Sequence, residues 1–306
     1  MAQQLFRISD KAPQGLNLRS APVVKDSTKL AVLPMGHPVT KLAEADVAPW
    51  WKVSTTLDGT RVEGFLNSTF LIPDTAFIPP TSLTSIAPVH LSTNQRVVRG
   101  STERRAFSLN ETGQKTRTPT ASPTVRAEEL TQIINWLDVE NQERYEPTSV
   151  NTFCNIYAYD YCFLAGVYLP RVWWMPSALE KLEQGVPVSP IYAHTVHELN
   201  ANSLYNWLKE HGPTFGWSRT FDLTQMQNAA NDGLVVIICA QNRLLNRSGH
   251  ICPVVPETST MKAKRNGSMV TIPLLSQAGR NNLKYFTRNW WTADTFREFG
   301  FWINAV

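Results

Sequence analysis

Cysteine is scarce in this 306-residue chain, and none of it is paired. The four cysteines (Cys154, Cys162, Cys239 and Cys252) all fall in the second half, with no CxxC among them. That excludes a disulfide framework and points to synthesis in a reducing compartment. Long apolar runs are missing too: no segment approaches the ~20 residues of a membrane-spanning helix. The opening MAQQLFRISDKAPQ lacks the apolar core of a secretory signal, so the expectation is synthesis in the cytoplasm without a signal peptide. There is no HExxH for a zinc hydrolase and no GxSxG for a serine hydrolase. The net charge is only +4, and no Arg/Lys run is interleaved with aromatics, so nucleic-acid binding is unsupported. Internal repeats are absent.

One stretch stands out against these absences, Asn151 to Gly166, NTFCNIYAYDYCFLAG. Cys154 lies where an extended segment gives way to a short helix. Ile156, Tyr159 and Phe163 follow at helical spacing, and Gly166 sits where a helix needs a left-handed end residue. A thiol in the first turn meets unpaired N–H groups and the positive end of the helix dipole, both of which favour the thiolate. Cys154 is therefore a candidate nucleophile, set against the plainer reading of a small buried residue. Cys162 and Cys239, in apolar runs, read as core.

The rest of the chain divides by composition. Residues 1–72 show short alternating runs between turn signals: LNLRS, KLAVLP, PVTKLAE, WWKVSTT and VEGFLN, with Asp58–Gly59 as a hairpin turn. This is a small all-β module. Residues 73–127 are rich in Ser, Thr and Pro and carry Arg96, Arg99, Arg104 and Arg105, which reads as a basic, partly ordered linker. Residues 128–306 open with a helix, EELTQIINWL, that puts Leu130, Ile133, Ile134 and Leu137 on one side. The Cys154 helix and a Trp/Pro-rich loop follow. A further helix is expected from about Thr195, with Thr195 and Glu198 as a capping box, then DLTQMQNAAN. Three apolar runs come next, GLVVIICAQ, GHICPVV and SMVTIPLL, long enough for strands covered on both faces. An aromatic tail, NWWTADTFREFGFW, is expected to close the core. Helices followed by strands make an α+β plan.

Cysteine hydrolysis of an amide needs a histidine within hydrogen-bond reach and a third polar group to orient the imidazole. Of six histidines, His37 belongs to the first module, His90 to the linker, and His194, His197 and His211 to the helix around the capping box. His250 differs. It opens a strand after a polar loop, with Gly249 leaving room beside it, so its imidazole stays accessible. Cys154, His250, Cys252 and the His194–His197–Glu198 group offer zinc-type ligands, but Glu198 is taken by the capping box. No metal and no cofactor is expected.

Two resemblances sharpen this reading. GLNLRSAP, LAVLPMGHPV and WWKVSTTLDGTRVEGFLNSTFL resemble a bacterial SH3 domain almost end to end, through Asn17, Arg19, Pro22, Gly36, Val39, Trp51, Val53, Gly64, Phe65, Phe70 and Leu71. That implies a five- or six-stranded barrel that often binds cell-wall peptides beside a hydrolase. TFCNIYAYDYCFLAGVYLP, ANDGLVVII and GHICPVVP, over residues 152–256, are similar to the NlpC-type and CHAP-type cell-wall cysteine hydrolases, nearest the branch found in phage lysins and contractile-injection effectors. The chain departs from the familiar D-C-S-G around the nucleophile, having Phe153-Cys154-Asn155, and residues 168–222 read as an insertion at the cleft. The resemblance implies a papain-like domain with helices packed on an antiparallel sheet. It also implies a third residue on the strand after the histidine strand. Gln277 is preferred there over Asn281 and over Glu257, which would lie ~20 Å from His250 along an extended strand. Asn155 and the Cys154 N–H, with Tyr145 as a weaker candidate, would bind the oxyanion.

The expected function is thus Cys–His hydrolysis of an amide in the peptide stem of peptidoglycan by a lysin or injected antibacterial effector. A holin or a contractile injection machine would deliver it, and an immunity protein would be a further partner. Two alternatives stay open: a wall- or partner-binding protein without activity, and a Cys–His acyltransferase or deamidase acting on protein.

Overall fold

A computed structural model describes residues 4–9, 11–12, 15–57, 60–77, 86–103 and 106–305. The chain forms two compact units, Met1–Leu83 and Thr84–Val306. In the first, period-two alternation produces seven strands: β1 Leu5–Ile8, β2 Leu16–Arg19, β3 Lys29–Leu33, β4 Pro38–Glu44, β5 Trp50–Leu57, β6 Thr60–Asn67 and β7 Leu71–Pro73. They form one antiparallel sheet in the order β3-β2-β6-β5-β4-β1-β7. The count exceeds the five or six expected because LFRI and LIP, too short to read from periodicity, pair with each other. Inward residues Ile8, Leu18, Leu33, Val39, Val53 and Leu66 build the core. Arg19 is buried as well, its guanidinium donating to the Lys25 carbonyl (2.5 Å) and the Thr28 hydroxyl (3.2 Å), which secures the β2–β3 connection. Trp50 is buried packing, whereas Trp51 is half-buried beneath the Lys41 ammonium. The Asp58–Gly59 turn lies outside the described residues, as do Arg104 and Arg105.

The second unit begins well before residue 128. Val89, Ala106 and Leu109 belong to its main core, and helix α1 spans Pro123–Leu137. Ser122 caps α1 by accepting from the Val125 N–H, with proline in the first turn, a start signal inside the segment read as linker. The described part of 73–127 beyond residue 86 is thus packed rather than spanning. The buried face of α1 is Leu130, Ile133, Ile134 and Leu137, the set its spacing required.

Helix α2, Cys154–Leu164, is buried nearly all round. Its end is as the sequence demanded. Gly166 has φ +72°, and the Val167 N–H returns to the Cys162 carbonyl (2.9 Å). Strand β8 (Val172–Trp174), helix α3 (Pro176–Glu183), strand β9 (Val196–Glu198), helix α4 (Ala201–Glu210), strand β10 (Trp217–Thr220) and helix α5 (Leu223–Asn231) follow. The helix expected from Thr195 starts instead at Ala201. Asn200 caps it through the Ser203 N–H (3.0 Å), Thr195 binds the 189–191 turn, and Glu198 pairs with Arg171. Residues 168–222 contribute to the core of this unit: α4 is a core helix and β10 joins the central sheet.

That sheet runs β10-β17-β11-β12-β15-β16, with every pair antiparallel: β11 Val235–Asn242, β12 His250–Val254, β15 Leu275–Gln277, β16 Leu283–Phe286 and β17 Phe296–Asn304. SMVTIPLL is split. Met269–Ile272 (β14) pairs with Lys264–Asn266 (β13) in a separate hairpin, Pro273 interrupts the run, and only Leu275–Gln277 enters the sheet. The aromatic tail divides: Phe296–Asn304 enters the sheet as β17, between β10 and β11, while Trp291 packs into the core on one face. Apolar clusters cover both faces. Val235, Ile237, Cys239 and Ile251 face the cluster that holds α1, α2 and α4; Val236, Ile238, Cys252 and Val254 face α5 and Trp291. Helices on both faces of an antiparallel sheet make this a mixed α and β unit.

Candidate active site

The site forms where the first residue of α2, the first of β12 and the last of β15 converge. His250 is the end of the β12 ladder, paired with Ala240, because Gly249 lets the chain turn tightly into the strand. A Cβ on Gly249 would stand 2.2 Å from the Ala240 carbonyl oxygen and 2.6 Å from Asn202 Oδ1. The preceding loop is pinned by Asn202, which donates to the carbonyls of Leu245 (3.3 Å) and Arg247 (2.8 Å). β15 pairs with β12 at Val254 and Leu275, and its antiparallel run returns Gln277 toward His250.

His250 Nε2 and Gln277 Oε1 are 2.9 Å apart. The amide's orientation follows from its other end, where Gln277 Nε2 donates to the Asn281 carbonyl (3.1 Å). A carbonyl only accepts, so the NH₂ group must face Asn281 and the oxygen must face the imidazole. His250 therefore carries its proton on Nε2 and leaves Nδ1 as an acceptor. Trp290 packs edge-on against the ring, with centroids 4.5 Å apart, which holds the plane of the imidazole. Burial pushes the His250 pKa down to about 4, so the imidazole is neutral near pH 7.

Cys154 is 3% exposed. Burial raises its pKa, while the N–H groups of Ile251, Asn155 and Cys154 itself point at the sulfur and oppose that rise. The Ile251 contact brings the thiol within one residue of the histidine. Among the hydrogen bonds of the described residues, none joins Sγ to the imidazole ring. Burial thus favours a neutral thiol at Cys154 and a neutral imidazole at His250, against the thiolate that the helix position suggested, because desolvation outweighs the N–H donors. α2 is locked to the neighbouring strand by Tyr157, whose hydroxyl meets Ser276 Oγ at 2.5 Å, one residue before Gln277.

The other sequence candidates are placed differently. Asn155 donates its side-chain amide to the Leu199 carbonyl (3.0 Å), tying α2 to the start of α4. Tyr145 is fully buried, and its hydroxyl donates to Asp160 (2.9 Å). Glu257 is held by Arg265 and Asn231, and these bonds lower its pKa to about 2. Asn281 serves through its carbonyl. Cys162, Cys239 and Cys252 are buried, with pKa values raised by desolvation. No group of three His, Cys, Asp or Glu among the described residues can hold a metal ion.

A cleft of about 400 Å³ opens in front of His250 and Gln277, lined by Thr152, Gly279, Arg280, Arg288 and Trp290 among others. Sequence reading missed Tyr157, Ser276, Arg280 and Trp290. Tyr157 stands three residues after Cys154, the spacing of one helical turn, and is the one with a readable signal.

Residues 14–72 match the family described as bacterial SH3 domain. The first unit is a bacterial SH3 domain. Arg19, Gly64 and Phe65 of this SH3 domain meet at the β2–β6 pairing, where Arg19 faces Phe65. No curated protein matches the chain. No helix among the described residues is long and apolar enough to cross a membrane.

Proposed function

We propose that the second unit is a papain-like cysteine hydrolase that cleaves an amide bond in the peptide stem of peptidoglycan, and that the SH3 domain holds the chain on the wall. The observation that carries this reading is the Asn281–Gln277–His250 chain. It fixes the imidazole as the Nε2–H tautomer and leaves Nδ1 as an acceptor that can serve as a base. In the proposed reaction His250 Nδ1 takes the Cys154 proton and the thiolate attacks the carbonyl carbon. The N–H groups of Cys154 and Asn155 hold the oxyanion. The imidazolium then protonates the leaving amine as the C–N bond breaks. Water, deprotonated by His250, hydrolyses the thioester and frees the acid and the thiol. Gln277 orients the ring without adding charge, so the imidazolium is transient.

The burial of Cys154 favours a second reading, in which the unit binds the wall without cutting it. Mass spectrometry of muropeptides released from purified peptidoglycan by the full chain separates the two. Hydrolysis yields cut stems with a new amino group; a binding protein leaves the sacculus intact. Stems that gain or lose an acyl or amide group without being cut would replace hydrolysis by transfer or deamidation.

A further inference from the structure

The cleft in front of His250 carries positive charge and no negative charge. Its lining includes Arg280 and Arg288 but neither Asp nor Glu. The two guanidinium groups are exposed and held in different ways. Arg280 donates to the carbonyls of Thr148 (2.7 Å), Ser149 (3.2 Å) and Val150 (3.4 Å), which fixes it against the segment leading to Cys154. Those neutral acceptors leave its charge uncompensated. Arg288 makes no ion pair among the described residues. Thr152 and Asn289 add neutral polar groups to the lining, and Trp290 supplies an apolar wall. An extended polar chain bearing an anion suits such a surface. A planar guanidinium can grip a carboxylate through two parallel N–H bonds, beside an aromatic wall that excludes water.

We propose that this cleft selects a peptide carrying a free carboxylate next to the scissile amide, with Arg288 as the residue that binds that carboxylate and Arg280 as a fixed second charge. The proposal rests on the hydrolase reading of the site and narrows its substrate to acidic peptides. Amidation of the carboxylate would remove the partner of Arg288 and leave the reacting groups untouched.

Calorimetry on the full chain carrying Cys154→Ala, which cannot turn over, reads binding apart from catalysis. The probes are the N-acetylated tripeptides Ala-Glu-Lys and Ala-Gln-Lys at low salt. The acidic peptide is expected to bind about 10- to 100-fold more tightly. Adding Arg288→Ala should abolish that preference, and Arg288→Lys should restore part of it. Unchanged melting temperatures establish that the variants are folded. Equal affinity for the two peptides, a preference that survives Arg288→Ala, or no binding of either peptide overturns the proposal. Failure of the hydrolase reading shows separately: the wild type then releases no cut stems, whatever the calorimetry gives.

Discussion

The two units bury different kinds of group. The SH3 domain encloses one small aliphatic core, and Arg19, the one buried charged side chain among its described residues, is satisfied at the rim by the Lys25 carbonyl and the Thr28 hydroxyl. The second unit buries a full ion pair. Arg144 grips Asp160 through two bonds (2.7 and 3.1 Å), both side chains are fully buried, and Tyr145 donates to the same carboxylate. Asp160 sits on α2, on the helix that carries Cys154. Buried polar networks specify a geometry more than they add stability. The SH3 domain is thus held by burial distributed over seven strands. The second unit adds polar clamps on the helix and strands that bear the candidate catalytic groups.

That contrast is broken most severely at Asp160. Asp160→Ala leaves the buried Arg144 guanidinium without its carboxylate, and the transition of the second unit should lose about 3–5 kcal/mol. The SH3 transition should stay in place when both are followed by scanning calorimetry. A common shift of the two transitions would show that the units do not differ in this way.

Acid should act next. His250 has a pKa of about 4 in the fold against 6.5 unfolded, so the unfolded chain binds more protons between those values. The stability tied to neutral His250 is full above pH 6.5 and falls as pH drops toward 4, by about 3 kcal/mol at most. Denaturant titrations of wild type and His250→Gln at pH 7 and pH 4 isolate this share, because His37 and His90 shift in the same direction. Equal pH dependence in the two proteins would remove His250 as the cause. Catalysis should follow the same group, with the hydrolytic rate lost as pH falls through about 4.

Gln277→Ala frees the imidazole to rotate and change tautomer. The turnover number should fall by about 10- to 100-fold with KM little changed, and Gln277→Asn should recover only a fraction because its side chain is one methylene shorter. A change in KM alone would make Gln277 a substrate contact rather than a positioning residue. The smallest effect belongs to Gly166→Ala, which puts a Cβ at φ +72° and should cost about 1 kcal/mol. Thermal melting checks it, and a neutral result would show that the end of α2 relaxes freely.

Much of this was legible in the chain. The five strand runs LNLRS to VEGFLN became β2 to β6, and the apolar faces of α1 and β11 fell where spacing put them. These patterns are local, which is why a single sequence carries them. Gln277 is named because the resemblance places the third residue on the run after the histidine strand, and a hydrogen bond joins it to His250. What misled were choices made by tertiary competition. Thr195 and Glu198 satisfy the spacing of a capping box, yet Asn200 takes the cap because Glu198 is drawn to Arg171. Tyr145 looked available to substrate, but Asp160, fifteen residues on, claims its hydroxyl. The raised pKa of Cys154 was also hidden, since a helix start argues for a thiolate and only packing reveals how far burial opposes it.

The hydrolase reading turns on one thiol. Initial rates of amino-group release from purified peptidoglycan at pH 7 compare the wild-type chain with Cys154→Ala. The reading predicts steady release by the wild type and a rate at least ~10³-fold lower for the variant, with both proteins binding the wall through the SH3 domain. Equal rates in the two proteins, or no release by either, would contradict it.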